Sequence, residues 1–472
     1  MIHYHQHLID GDMRAATGAA MTTIYDSTTE EPIATVAHGS SAEVDAAVKA
    51  ARAALPRWSN TSIDERATFL LAIADALEAR SDRMAADVVA EVGMPLKLTR
   101  RIQLQAPIAA WRAAAAHAAE ALAETRVGHS VVTKEAVGVV AAITPWNYPL
   151  HQITAKLAAA LVAGCCVVLK PSELAPGVVG ALCEAALEAR LPRGVLNIVY
   201  GDRLTGEALV AHPGIDMVSF TGSTAAGRHI ASMAGAGLKR VALELGGKSA
   251  SIALPDADQA AVVKHALSSC MLNSGQTCSA ITRLIVPEAQ YEAYREPLRA
   301  GVANLRVGDP RDADSRIGPL VSADHRNRVN AYIERAEKAG YDDIANGVKP
   351  ALPSRGYFVA PAIFGRVPID AELAQEEVFG PVLAVQTYST EEEAVALANG
   401  TSYGLAGAVW SASAEHAVRV ARRLRAGQID INGAPFNARA PFGGFGASGI
   451  GREGGAFGIE EFVELRAIQL PQ

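Results

Sequence analysis

Val137-Gly-Val-Val-Ala-Ala-Ile-Thr-Pro-Trp-Asn147, the amphipathic stretch His151 to Ala163, and then Cys166-Val-Val-Leu-Lys-Pro-Ser-Glu173 read as a short apolar strand, a helix and a second apolar strand. Strands this apolar are buried on both faces, and an intervening helix carries the chain back to pair in parallel, so the unit is a βαβ crossover. The alternation continues. Val195 to Val199, Met217 to Phe220 and Val241 to Leu243 are again short and apolar, with a helical stretch at Val178 to Ala189. This predicts an open parallel α/β sheet, whose ligands lie at the carboxyl ends of the strands. One edge then collects Thr144-Pro-Trp-Asn147, Lys170-Pro-Ser-Glu173, Gly201-Asp202, Thr221-Gly-Ser223 and Glu244-Leu-Gly-Gly247.

Outward from this core, a second α/β run begins after Gly247: Ser251 to Leu254, a helix from about Asp258 to Leu272, a strand at Arg283 to Val286, and further units to Asn432. Gly443 to Gly455 is a Gly-rich loop. Its two literal Gly-x-Gly-x-x-Gly matches follow no strand, so they read as loop rather than as a dinucleotide fingerprint. Ile459 to Leu470 closes the chain as a helix or strand. Toward the N-terminus the sequence is Ala-rich and helical, with a capping-box spacing at Ser62 and Glu65. A helical pattern from Leu98 to Thr125 is interrupted by Pro107, and β-rich texture follows near Val127 to Lys134. His3, His5 and His7 alternate as on one strand face and read as a solvent-exposed terminus rather than a metal site.

A chain of 472 residues exceeds a single hydrophobic core and predicts two or three domains. Its 43 basic and 50 acidic side chains, net -7, offer no attraction to polyanions, so nucleic acid is not an expected partner. Met1 to Asp12 does not read as an export signal. The apolar run Leu157 to Leu169 is shorter than the roughly 20 residues that span a bilayer, so no membrane partner is expected. Five cysteines without Cys-x-x-Cys pairing do not form a disulfide framework, and the expected location is the cytoplasm.

Cys165, Cys166, Cys183 and Cys270 fall on apolar strand or helix faces and read as packing thiols. Cys278 lies instead in the polar loop Asn273-Ser-Gly-Gln-Thr-Cys-Ser279, the kind of segment that presents side chains to a ligand. A free thiol, with a pKa of about 8.5, is only slightly ionised at neutral pH, so a reactive Cys278 needs a positive field or a base. Glu244, at a strand end beside Gly246 and Gly247, is the candidate base. A solvated or salt-bridged carboxylate is the alternative reading of that position.

Taken together and in order, Pro145-Trp-Asn147, Lys170-Pro-Ser-Glu173, Phe220-Thr-Gly-Ser-Thr224, Glu244-Leu-Gly-Gly-Lys248, Gly275-Gln-Thr-Cys278, Glu376-Glu-Val-Phe-Gly-Pro381 and Pro441-Phe-Gly-Gly444 resemble the aldehyde dehydrogenase superfamily, from about Ile9 onward. The resemblance implies Cys278 as nucleophile, Glu244 as general base and Asn147 as an oxyanion donor. It implies oxidation of an aldehyde to the acid through a thioester that water hydrolyses, since relatives that pass the acyl group to coenzyme A typically lack this Glu. With the sheet edge, it assigns Thr144, Pro145, Trp146, Lys170, Ser172, Glu173, Gly201, Gly222, Ser223, Leu245, Glu377 and Phe379 to the cofactor, and no residue to a metal. Glu453 matches a family acid that assists proton exit.

The implied cofactor is NAD, with NADP the weaker alternative. A carboxylate at Glu173 beside the extra phosphate would cost roughly 4 kcal/mol per charge pair at about 4 Å and an effective dielectric near 20. Two positions depart from the family pattern: Gly201-Asp-Arg203 replaces a frequent Gly-x-Gly, and Tyr148 stands where several relatives carry Phe. The implied architecture is a cofactor domain from residues 1–121 and 136–244, a catalytic domain from 245–441, and a β arm for homodimer or homotetramer formation from 122–135 with 442–472. A semialdehyde dehydrogenase for an acidic substrate is the nearest rival, with Arg439 or Arg283 as the entrance cation. A non-catalytic NAD-binding protein of the same fold is the rival from another class.

Overall fold

The computed structural model describes residues 1–471. Two large sheets organise them. In the first, Arg240–Glu244, Met217–Thr221, Val139–Ile143, Cys166–Lys170 and Leu196–Ile198 lie side by side in that order, all parallel. The chain runs outward from Val139–Ile143 and then returns to its other side, which makes a topological switch point beside Met217–Thr221. Every residue of Val139–Ile143 and Cys166–Lys170 is buried. Each Val, Leu or Ile so buried contributes about 1.5–3 kcal/mol, and the helices Ser41–Trp58 and Pro149–Val162 pack on these strands.

The second sheet orders Ala362–Gly365, Val382–Tyr388, Ile281–Pro287, Ser249–Ala253, Ala406–Trp410 and Gln428–Ile431, again parallel, with the short Asp342–Asp343 antiparallel at one edge. The mixed α/β class with parallel sheets is therefore the one the strand pattern predicts. A third sheet pairs Thr125–Val127, Ser130–Ala136 and Val463–Gln469, antiparallel. Within 442–472 only this last strand joins it. Gly449–Ile450 instead pairs antiparallel with Leu243 and Glu244, covering the edge of the first sheet, where unpaired backbone groups would otherwise lie open.

The N-terminal region departs from its helical expectation. Before the helix Ser41–Trp58 come five strands, from Ile2–Tyr4 to Pro32–Ala37. Gln6–Ile9 extends the first sheet antiparallel to Leu196–Ile198 and carries His7 into the core, 0% exposed, with Nε2 3.7 Å from Glu43 Oε1. The expected solvated terminus therefore holds for His3, which is exposed, but not for the half-buried His5 or the buried His7; His3 and His5 both bond the Thr35 hydroxyl. Pro107 does not interrupt a helix either. A π-helical turn, Thr99–Gln105, precedes Ala106–Ala121, and Pro107 sits in that helix's first turn, where its missing N–H costs nothing. Ser62 caps its helix by accepting from the Glu65 N–H, while the full reciprocal box is Ser40 with Glu43.

Candidate active site

The strand register builds the edge. Thr221 pairs with Glu244, Phe220 with Ile143, and Ile143 with Lys170. Strand ends in register place Lys170, Thr144, Thr221 and Glu244 along one rim. Four buried oxygens on that rim have no hydrogen-bond partner: Thr144 Oγ1, Thr221 Oγ1 and both carboxyl oxygens of Glu244. Buried polar atoms are nearly always paired, so a row of orphans marks where a ligand or water belongs.

Around the rim, Lys170 Nζ donates to Gly201 O at 2.7 Å and lies 3.5 Å from Glu173 Oε2. Ser172 accepts from the Leu174 N–H and fixes the turn that holds Glu173. Gly222 N–H donates to Glu244 O, and Ser223 caps Thr224–Ala236 by accepting from Ala226 N–H. The remaining N–H groups of that helix start suit an anion. Asp202 answers the Gly201-Asp-Arg203 departure: its carboxylate takes the Leu204 and Thr205 N–H groups of its own helix, Arg203–Ala211. That N-terminus is already satisfied by an acid.

The turn that leads to Cys278 is bonded to the end of the first sheet through Asn147. After the helix Gln259–Cys270 the chain passes through Asn273 (φ 52°) and Ser274 (φ 58°), both left-handed non-glycines, and then Gly275 (φ 79°). A Cβ on Gly275 would meet the backbone of Gly380 and Pro381. Asn273 Nδ2 donates to Asn147 O at 3.0 Å, Ser274 Oγ to Gly318 O at 2.9 Å, and Val321 N–H to Gln276 Oε1 at 2.9 Å. Asn147 Nδ2 donates to Gln276 O at 3.0 Å, which uses one of its two N–H groups. Gln103, reaching from the π-helical turn, donates to Asn147 O at 2.8 Å. Sequence reasoning missed Gln103, Asn273 and Gln276 as supports. The π turn is a recurrent mark of functional segments, but nothing in the local pattern of Thr99–Gln105 announces it.

The charges that act on Cys278 are all negative. Burial pushes the Cys278 thiol well above its ordinary value, and Glu244 and Glu377 push it further. Glu244 is itself held well above the usual carboxylate range by burial and then by Glu453, with Lys156 opposing. Lys156 Nζ bonds Glu453 Oε1 at 2.5 Å. The positive field proposed for Cys278 is thus absent from its largest influences, and the base is what remains. The other four thiols are buried and raised to about 12, first by desolvation, in keeping with packing.

Opposite the rim, burial raises Glu377 to about 7 while the Gly247 N–H, at 3.0 Å from Oε1, holds it down. Phe379 adopts φ 59° and packs edge-on to Trp146, ring centroids 5.7 Å apart, with His325 donating to Phe379 O at 2.8 Å. Burial lowers His325 to about 4, so it stays neutral. Leu245 N–H donates to Ser448 O, and Ser448 Oγ donates to Gly246 O at 2.7 Å, tying the C-terminal loop to the base. Pro145 joins Thr144 to Trp146 along this wall. Arg283 is not at an entrance. It is 1% exposed and donates to the carbonyls of Lys248, Leu397 and Ala398. Arg439 is exposed and without a carboxylate partner among the described residues.

The profile of the aldehyde dehydrogenase family matches residues 14–468. This chain belongs to the aldehyde dehydrogenase family. Among sequence relatives, a 3-succinoylsemialdehyde-pyridine dehydrogenase of Pseudomonas sp. is 41% identical, and a geranial dehydrogenase of Castellaniella defragrans 40%, each over 99% of both chains. Among solved structures, a mutant of aldehyde dehydrogenase C from Pseudomonas syringae, complexed with NAD+ and octanal, superposes with a TM-score of 0.96 at 40% identity, over 99% of this chain and 96% of that one. The Mycobacterium tuberculosis aldehyde dehydrogenase complexed with NAD+ gives 0.95 at 37%, over 100% and 99%. As an aldehyde dehydrogenase the chain is an oxidoreductase, not a binding protein that merely keeps the fold, and no helix among its described residues is long and apolar enough to cross a membrane.

Proposed function

We propose that this aldehyde dehydrogenase uses NAD to oxidise an aldehyde to its carboxylic acid through a thioester on Cys278. The observation that carries this reading is the pair of unpartnered Glu244 carboxyl oxygens close to Cys278, on a turn to which the Asn147 amide is bonded. NAD fits the rim. The orphaned Thr144 and Thr221 hydroxyls, the open helix start behind Ser223 and the Lys170–Glu173 pair supply donors and acceptors along an extended ligand. Glu377, Phe379, Trp146 and Leu245 frame the reacting end. Glu173 favours the free ribose over its phosphate, so NAD is preferred to NADP. When bound, NAD supplies the acceptor for hydride.

The chain's own groups do the rest. Glu244 takes the thiol proton, and the Cys278 sulfur attacks the carbonyl carbon. The free N–H of the Asn147 amide stabilises the resulting alkoxide, the charge such donors are placed to meet. Loss of hydride from that carbon leaves the thioester. Glu244, once it has given up the thiol's proton, deprotonates water for attack on the thioester, and the acid departs as the sulfur is released. The Lys156–Glu453 pair offers Glu244 a path for its proton.

Purified protein with NAD and a panel of aldehydes should reduce NAD, and Cys278→Ala should abolish turnover while NAD still binds. Unimpaired turnover of that variant would overturn the thioester. Extending the panel from octanal to anionic semialdehydes asks whether the unpaired Arg439 selects an acidic substrate. We further infer a homo-oligomer built on the three-stranded arm, and the five unpaired thiols support a reducing, cytoplasmic setting.

A further inference from the structure

Asn147 and Tyr148 are consecutive, and each grips one of the two residues that precede the nucleophile. Asn147 Nδ2 reaches Gln276 O at 3.0 Å, and the Tyr148 hydroxyl lies 2.7 Å from Thr277 Oγ1. The direction of the second bond is fixed by bookkeeping of protons. Thr277 Oγ1 is also 3.2 Å from Leu272 O, a carbonyl, which can only accept. The single Thr277 proton goes there, so Tyr148 donates. Tyr148 is 7% exposed, and burial raises its phenol above the ordinary value, so this donor persists at every pH where the protein is folded and active.

The turn these bonds hold does not hold itself. Asn273 and Ser274 sit in the left-handed region without being glycine, a strained conformation that persists only when surroundings over-determine it. Asn273 and Ser274 are tied by their own side chains to Asn147 O and Gly318 O. Thr277, adjacent to the sulfur, has no side-chain tie outside the turn other than Tyr148 among the described residues. With Gln276 O already bonded to the Asn147 amide, the last step from there to the sulfur is fixed at that hydroxyl pair.

We propose that Tyr148 is a positioning residue: through Thr277 its hydroxyl sets the Cys278 sulfur against the Asn147 amide, so that attack and oxyanion stabilisation occur at one carbon. This inference rests on Cys278 being the nucleophile. It gives the Tyr in place of Phe a task in the acylation half of the reaction. A mere wall of the aldehyde path would need only the ring.

The test is single-turnover hydride transfer with saturating NAD and aldehyde, followed as NADH absorbance. Losing one neutral hydrogen bond of about 1 kcal/mol corresponds to roughly a fivefold change, so Tyr148→Phe should slow the first turnover about fivefold to tenfold while NAD affinity stays unchanged. Thr277→Val should slow it comparably, and Thr277→Ser, which restores the hydroxyl, should recover most of that loss. The double variant Tyr148→Phe with Thr277→Val should be little slower than the slower single variant, since both remove the same contact. A wild-type first turnover in Tyr148→Phe, a double variant whose loss is the product of the two single losses, or a change confined to the aldehyde KM would each overturn the proposal. Cys278→Ala separates the two readings. If it still turns over, the thioester fails; if it is dead while Tyr148→Phe is at full rate, only the positioning role fails.

Discussion

Where Cys278 and Glu244 meet, Glu244 keeps the thiol's proton on, whereas the thiol itself favours the Glu244 carboxylate, which burial and Glu453 hold protonated. Both are buried, Glu377 and Glu453 add further negative charge, and both therefore sit above their ordinary ionisation ranges. The working forms are the deprotonated ones, so reactivity is lost as pH falls and gained as it rises. Labelling of Cys278 by iodoacetamide in the free enzyme should rise with pH to a midpoint above the ordinary thiol value of about 8.5. Glu244→Gln removes the negative neighbour and should move that midpoint down, as quantified by mass spectrometry of the labelled peptide. A midpoint already depressed in the wild type would contradict the electrostatics drawn here. In turnover the same variant, its easier-ionised thiol losing the proton to solvent instead of to Glu244, should release one equivalent of NADH per site and then stall at the acyl-enzyme; sustained NADH production would assign the water to another base.

At the scale of elements, the turn Leu272–Gly275 is the place where backbone geometry and chemistry coincide. Gly275→Ala forces a side chain into φ 79° and against Gly380 and Pro381. The conformation alone costs about 1–3 kcal/mol. Thermal melts should show a lowered Tm, and the first-turnover rate should fall with it; an unchanged melt would mean that the turn relaxes freely. The strands of the first sheet were legible because runs such as Cys166–Lys170 are too short for a helix, rich in β-branched residues and bounded by Gly or Pro. The residues at their ends were legible because an open sheet places ligands there. Gln103, Asn273, Thr277 and Tyr148 were not, since their roles are hydrogen bonds to partners far along the chain, 44 residues away for Gln103 and more than a hundred for Asn273 and the Tyr148–Thr277 pair, and no local pattern dictates such bonds. The N-terminal hairpin had a local signal that went unread: Ile9-Asp-Gly-Asp12 places Asp10 (φ 54°) and Gly11 (φ 73°) in a two-residue turn, a combination that favours hairpins.

For the whole molecule, the outer sheet bears on assembly. Val463–Gln469 lies at its edge with six of seven residues exposed, Leu465 at 68% and Ile468 at 43% among them. An open apolar edge of this length is a site for pairing with another chain. Light scattering should give a mass of at least two chains for the native protein, and Leu465→Lys with Ile468→Lys should shift it toward a single chain. A native protein that elutes as one chain would leave the edge without that purpose.

The short strand Gly449–Ile450 pairs with the backbone of Leu243 and Glu244; Gly449, at φ 132°, lies so close to Leu243 that a side chain would strike its carbonyl. Glu453, a few residues on, holds Lys156. On the ribosome, then, the sulfur at position 278 emerges long before its setting exists. Translation must pass residue 453 before the end of the Glu244 strand is covered and Lys156 gains its partner, so a product cut short by a premature stop would carry the thiol without those contacts.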